Sequence, residues 1–160
     1  MAEEERPHAD HPRTDEAALA GILEEVISSY STVLRRALAQ VDGDSRLTLT
    51  QFRCLQALAV TGSALTTQLA RQMEVAVPTM TGRIDSLVAH RFVERHPDPA
   101  DRRQIQLVLT EVGREHFERC QQAISTTLQR LMAQLNPDQQ TRLAGALQDL
   151  ELLLATGTRA

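Results

Sequence analysis

The sequence predicts a mainly α-helical chain carrying one small two-stranded β wing, and three observations carry that reading. Apolar residues recur at helical spacing through most of the chain, as in Leu19, Ile22, Val26, Val33, Ala37 and Val41. Two short amphipathic segments, Leu65–Met73 and Val77–His90, are separated only by Glu74, Val75 and Ala76. Directly after them the period changes from helical to two: Ile105, Leu107 and Leu109 alternate with Gln104, Gln106 and Val108.

Taken in order, residues 1–14 hold three consecutive glutamates, two prolines and two histidines, the composition of a disordered arm. His8 and His11 stand without a neighbouring ligand set, so no metal site is expected there. The chain has no apolar h-region and no run of 18 apolar residues, which predicts no signal peptide, no membrane span and a cytoplasmic protein. Residues 15–46 read as one long helix, Asp15 to Val41, ended by Asp42-Gly-Asp-Ser45. Leu23, Ile27, Leu34 and Leu38 widen its stripe beyond what one globular face requires, so a partner subunit is expected on one flank.

Residues 47–109 read as one domain. A helix from Leu47 to Val60, with Thr50 as its N-cap, is closed by Thr61-Gly-Ser63. Leu65, Leu69 and Met73 give the next helix a single buried side. In Val77–His90 the apolar stripe is Met80, Ile84, Leu87 and Val88. Opposite it lie Pro78, Thr79, Gly82, Ser86 and His90, with Arg83 on the flank. Small and hydrogen-bonding groups of this kind suit a helix pressed against a duplex. Phe92–His96 and Gln104–Leu109 are strand-like, and Pro97-Asp-Pro-Ala-Asp-Arg-Arg103 turns between them. Helix, turn, helix and then a basic-tipped hairpin is a winged helix-turn-helix, whose second helix enters the major groove.

Residues 110–160 read as two helices. Thr110 caps the first, whose stripe is Phe117, Cys120, Ile124, Leu128, Leu131 and Leu135. Asn136-Pro137-Asp138 restarts the chain, and Leu143, Leu147, Leu150 and Leu154 line the second.

The 160 residues suit one domain or one subunit of an intertwined dimer. All 17 basic residues are arginine, and the net charge is −4, which opposes a nucleic-acid partner. Its distribution matters more: Val77 to Gln106 holds five arginines against four acids, giving +1, while the other residues sum to −5. Weak non-specific binding through a few phosphates is expected. An enzyme reading lacks its parts: there is no Gly-rich phosphate loop, nucleophile elbow or metal-ligand cluster, so no cofactor is expected.

Leu49-Thr-Gln-Phe52, Leu69-Ala70, Thr79-Met-Thr81, Val93-Glu-Arg95, Asp98-Pro-Ala-Asp-Arg-Arg103 and Leu109-Thr-Glu-Val-Gly113 resemble the MarR family of bacterial transcription regulators over residues 47 to 115. The resemblance implies a homodimer built on interlocked N- and C-terminal helices, binding double-stranded DNA at a palindromic operator. It implies repression, relieved by a small aromatic or lipophilic ligand seated between the dimer helices and the DNA lobe. Tyr30, Phe52 and His116 are the candidate lining residues. It places Pro78, Thr79, Gly82, Arg83 and Ser86 at the major groove, and Arg103, steadied by Asp101, in the minor groove; Arg95 and Arg102 are expected at phosphate. Three positions depart from the family pattern. The arginine usual at 82 stands at 83, Ala76 replaces the usual serine cap, and Arg91 stands where a glycine usually ends the helix. Arg91 therefore needs a left-handed conformation or a different turn.

Cys54 and Cys120 fit two small buried hydrophobes, with no cation expected nearby because Arg53 and Arg119 point elsewhere on their helices. The alternatives to a ligand-released repressor are a thiol-based redox-responsive repressor of the same fold and a winged-helix protein-interaction module without DNA binding.

Overall fold

The computed structural model describes residues 15–41, 47–99 and 101–157. The expected arm with His8 and His11, and the break at 42–45, lie outside these residues. The elements are α1 (Glu16–Val41), α2 (Leu49–Thr61), β1 (Ser63–Leu65), α3 (Thr66–Gln72), α4 (Val77–Ala89), β2 (Val93–Pro97), β3 (Ile105–Leu109), α5 (Glu111–Met132) and α6 (Pro137–Gly157). This is the expected mainly helical winged helix-turn-helix, with two local corrections.

The first correction concerns the sheet, which has three antiparallel strands in the order β1-β3-β2. Ser63, Ala64 and Leu65 pair with Val108, Leu107 and Gln106. Three residues are too few for a period-two pattern to show, so this segment reads as helix punctuation in the sequence. The second correction moves the cap of α2 from Thr50 to Thr48. The Thr48 hydroxyl accepts the Gln51 backbone N–H at 3.2 Å, and Gln51 Oε1 accepts the Thr48 N–H at 2.9 Å. That reciprocal box satisfies two of the four open N–H groups of the helix start.

The core lies under the sheet, among α2, α3 and α4. Leu55, Leu58, Leu69, Met80, Ile84, Leu87 and Leu107 are fully enclosed there, and Leu38 joins them from α1. In α1 only Leu34, Ala37 and Leu38 are buried. Leu19, Ile22, Val26 and Ile27 remain more than half exposed, as do Leu152, Leu153 and Leu154 of α6. No described residue of α6 is buried. By length and composition α1 is apolar enough to cross a membrane, with a mean hydropathy of 1.2 over its most apolar window. α1 holds no unbroken run of 18 apolar residues, and a core helix passes the same test of length and composition. Its amphipathic C-terminal half, however, packs into the protein core.

The start of α5 is riveted to the corner between α4 and β2. The Thr110 N–H donates to the Phe92 carbonyl at 3.1 Å, and its hydroxyl donates to the Arg91 carbonyl at 2.6 Å. The same hydroxyl accepts the Gly113 N–H at 2.9 Å, as the expected N-cap. Gly113 is buried with its Cα against the Phe92 carbonyl, where no side chain fits. One helical turn on, the His116 ring stacks on Phe92 at 4.2 Å. The long helix and the winged lobe thus share one joint.

Candidate nucleic-acid interface

The face that α4 offers follows from its pattern. Met80, Ile84 and Leu87 are buried, so Pro78, Thr79, Gly82 and Asp85 must face outward, and all four are exposed. Ser86 is half-buried. The Ala76 N-cap makes no side-chain bond, as its methyl requires; Pro78 sits in the first turn, where its missing N–H is no loss. Among the described residues, nothing beyond its chain neighbours and its own helix backbone lies within 4 Å of a Gly82 Cβ, so the glycine leaves open space on the outer surface. Arg83 departs from expectation. Its residue is half-buried, and its Nη1 is enclosed without a hydrogen-bond partner among the described residues. The guanidinium lies near enough to act on the Cys54 thiol of α2.

In the turn between β2 and β3 the acids shape backbone. Asp98 Oδ1 accepts the Asp101 N–H at 3.1 Å, and Asp98 Oδ2 accepts the Gln106 amide at 2.8 Å. Asp101 Oδ1 accepts the Arg103 backbone N–H at 3.1 Å, and its Oδ2 accepts the Gln104 amide at 3.1 Å. This corrects the expected Asp101–Arg103 pair: the carboxylate holds the arginine's backbone, not its guanidinium. A side chain reaching an N–H two residues on is the ordinary Asx geometry of a tight turn. Arg102 and Arg103 are exposed and form no ion pair among the described residues.

Arg95 is placed differently. Its guanidinium meets Asp85 of α4 at 2.6 Å. Arg91 adopts φ +60°, the left-handed conformation its place in the sequence demands, and Glu74 in the turn before α4 does the same at φ +53°.

The three residues expected at an effector site do not meet. Tyr30 and Phe52 line one cavity of about 350 Å³ between α1, α2 and α5, together with Leu34, Leu49, Arg53 and Ile124. His116 lies elsewhere, stacked on Phe92 with Arg119 at 3.2 Å from its Nδ1. The i to i+3 and i+4 spacing on α5 turns His116 toward the corner and leaves Gln121 and Ile124 to the cavity. Both cysteines are buried, and each has a neighbour the sequence reading placed elsewhere. Burial pushes the Cys54 thiol up from 9.0 to about 11, against the opposing pull of Arg83 and then Arg53. Cys120 Sγ lies 3.6 Å from His116 Nε2, one helical turn back.

A sequence profile of the MarR family matches residues 47–105. An uncharacterised HTH-type transcriptional regulator of Mycobacterium bovis is 34% identical over 121 residues, covering 76% of this chain and 84% of its own. Among solved structures, wild-type apo MarR from Escherichia coli is 26% identical with a TM-score of 0.70, covering 82% of this chain and 96% of that one. A mutant Escherichia coli MarR complexed with operator DNA is 25% identical with a TM-score of 0.63, covering 86% of this chain and 99% of that one. This chain belongs to the MarR family of winged helix-turn-helix, DNA-binding transcriptional regulators.

Proposed function

We propose that the chain acts in the cytoplasm as a homodimeric repressor at a palindromic operator, and that a small aromatic or lipophilic ligand releases it. The observation that carries the reading is the exposed Arg102–Arg103 wing tip beside an outward α4 face of Pro78, Thr79, Gly82 and Ser86, on a fold whose similar structures include MarR bound to operator DNA. Thr79 and Gly82 meet base edges and Arg102 meets phosphate. Arg103 enters a narrow minor groove. The half-buried Arg83 swings out to the groove only at the loss of its seat beside α2.

The dimer reading is supported by apolar side chains that α1 and α6 leave in water, which a partner's matching helices would cover. Residues 15–46 and 110–160 then form the dimer module and 47–109 the DNA module. A two-fold axis would set two reading helices about one DNA turn apart, roughly 34 Å. The Tyr30–Phe52 cavity lies between these modules, so a ligand seated there favours one spacing of the heads over another. It lowers DNA affinity by its differential binding to the two spacings.

The test pairs sedimentation with a gel shift on the duplex upstream of the chain's own gene. A dimer that shifts this DNA at low salt supports the reading. A stable monomer, or no shift at the salt where electrostatic attraction is strongest, favours the protein-interaction module.

A further inference from the structure

We propose that Asp85 and Arg95 act as one unit in DNA binding: Arg95 works by neutralising and holding Asp85 on the reading helix, not by contacting phosphate. The inference rests on the DNA-binding reading above. Asp85 is the one acid of α4, and its side chain is 57% exposed. It follows Pro78 by seven residues, two helical turns, and so shares the outward side of the helix. An unpaired carboxylate there would face the phosphate backbone as a like charge.

Strand register explains why Arg95 answers it. Val93, Arg95 and Pro97 pair with Leu109, Leu107 and Ile105, and side chains alternate faces along a strand. Val93, Leu107 and Leu109 are buried, so Arg95 points to the inner face of the hairpin, toward α4. Glu94 and His96 take the outer face and meet each other at 2.9 Å. Arg95 reaches Asp85 at 2.6 Å from this inward position. It is the one arginine–carboxylate pair among the described residues, and it ties the reading helix to the wing. Arg102 and Arg103, beyond the strand end, carry no such restraint.

A double-mutant cycle on DNA affinity tests this. The full-length chain, Arg95→Ala, Asp85→Asn and the double variant are titrated onto one duplex selected from random sequence by the parent chain. In the parent background Asp85→Asn raises affinity by no more than about twofold, because the charge is already neutralised. Arg95→Ala weakens binding about tenfold, and Asp85→Asn in that background recovers most of the loss, to within about threefold of the parent. If Arg95 instead leaves Asp85 for a phosphate, the two substitutions are additive, and Asp85→Asn changes affinity by the same factor with or without Arg95. That outcome overturns the proposal while leaving DNA binding intact. Failure of the parent to select any duplex is a failure of the underlying reading. Thermal melts of all four proteins, expected within about 2 °C of one another for an exposed pair, separate binding effects from folding.

Discussion

Adding one methyl group at two helical glycines should give opposite signs, and the sign tests the joint between the lobe and α5. Alanine stabilises a helix interior by about 1 kcal/mol over glycine. At Gly82 a new Cβ meets nothing within 4 Å, so Gly82→Ala should be stabilised by that amount. At Gly113 the Cβ would overlap the Phe92 carbonyl oxygen and lie 2.7 Å from the carbonyl carbon and 2.9 Å from Cα. These are backbone atoms, which no rotamer change can move. Relief requires a shift of roughly 1 Å between α5 and the corner, at an overpacking cost of about 1–3 kcal/mol. That shift also strains the two bonds from Thr110 to Arg91 and Phe92, each contributing about 1 kcal/mol. Gly113→Ala should thus lose about 2–4 kcal/mol net. In a chain of this size that lowers the melting midpoint by roughly 5–15 °C, against a rise of about 2–4 °C for Gly82→Ala. Calorimetry at one fixed protein concentration reads both, since a dimer's midpoint depends on concentration. A Gly113→Ala protein that melts higher than the parent would refute the seating of α5 on Phe92. Gly82→Ala carries a second expectation: the more stable protein should bind DNA less well, because the methyl group stands on the reading face.

Three further substitutions follow from the site. Arg103→Ala should weaken operator binding at least tenfold, in a fluorescence-anisotropy titration, with an unchanged melting midpoint, because the side chain is exposed and unpaired among the described residues; unchanged affinity would reject the wing assignment. Arg91→Gly should stabilise by about 1 kcal/mol in urea denaturation, since φ +60° costs an arginine what it does not cost glycine. The Cys54 thiol, pushed up to about 11, should resist iodoacetamide at pH 8 in the folded protein. Because the folded thiol holds its proton more tightly than the unfolded one, its contribution is complete below pH 9 and is lost as pH rises toward 11, so Cys54→Ala should flatten that part of the stability profile.

The sequence was most legible where a period could be counted. Met80, Ile84 and Leu87 announced which side of α4 is buried, and with it the outward residues. The breadth of the α1 stripe announced a helix whose own lobe covers only Leu34, Ala37 and Leu38. What stayed hidden was contact between distant residues. Asp85 and Arg95 are ten apart, and only strand register turns one toward the other. The charge of Arg83 on α4 acts on the Cys54 thiol of α2, so neighbours in sequence could not reveal that cation. The Thr48–Gln51 box was a readable signal passed over, since threonine followed three residues later by glutamine is a capping pattern. His116 was misplaced for a different reason: position on a helix gives a direction, but which neighbour lies in that direction is set by the corner at Phe92.

The acidic net charge still has to be reconciled with a polyanionic partner, and the hydrogen bonds of the lobe supply the argument. Each of the four acids between Val77 and Gln106 is engaged. Asp85 meets Arg95 and Glu94 meets His96, while Asp98 and Asp101 accept backbone N–H groups and amides of the wing turn. A guanidinium offsets the Asp85 charge and turn N–H groups engage Asp98 and Asp101 where DNA would approach, while the guanidinium groups of Arg102 and Arg103 stay exposed. Arg102 at phosphate and Arg103 in the minor groove put two cations per subunit on the duplex, about four in a dimer, so the logarithm of affinity should fall with the logarithm of salt at a slope near −4. Between 50 and 200 mM salt that is a loss of roughly a hundredfold. A slope near zero would mean that the wing arginines do not reach the backbone. A slope steeper than about −7 would require cations beyond the wing, and α4 with α5 would then have to supply them.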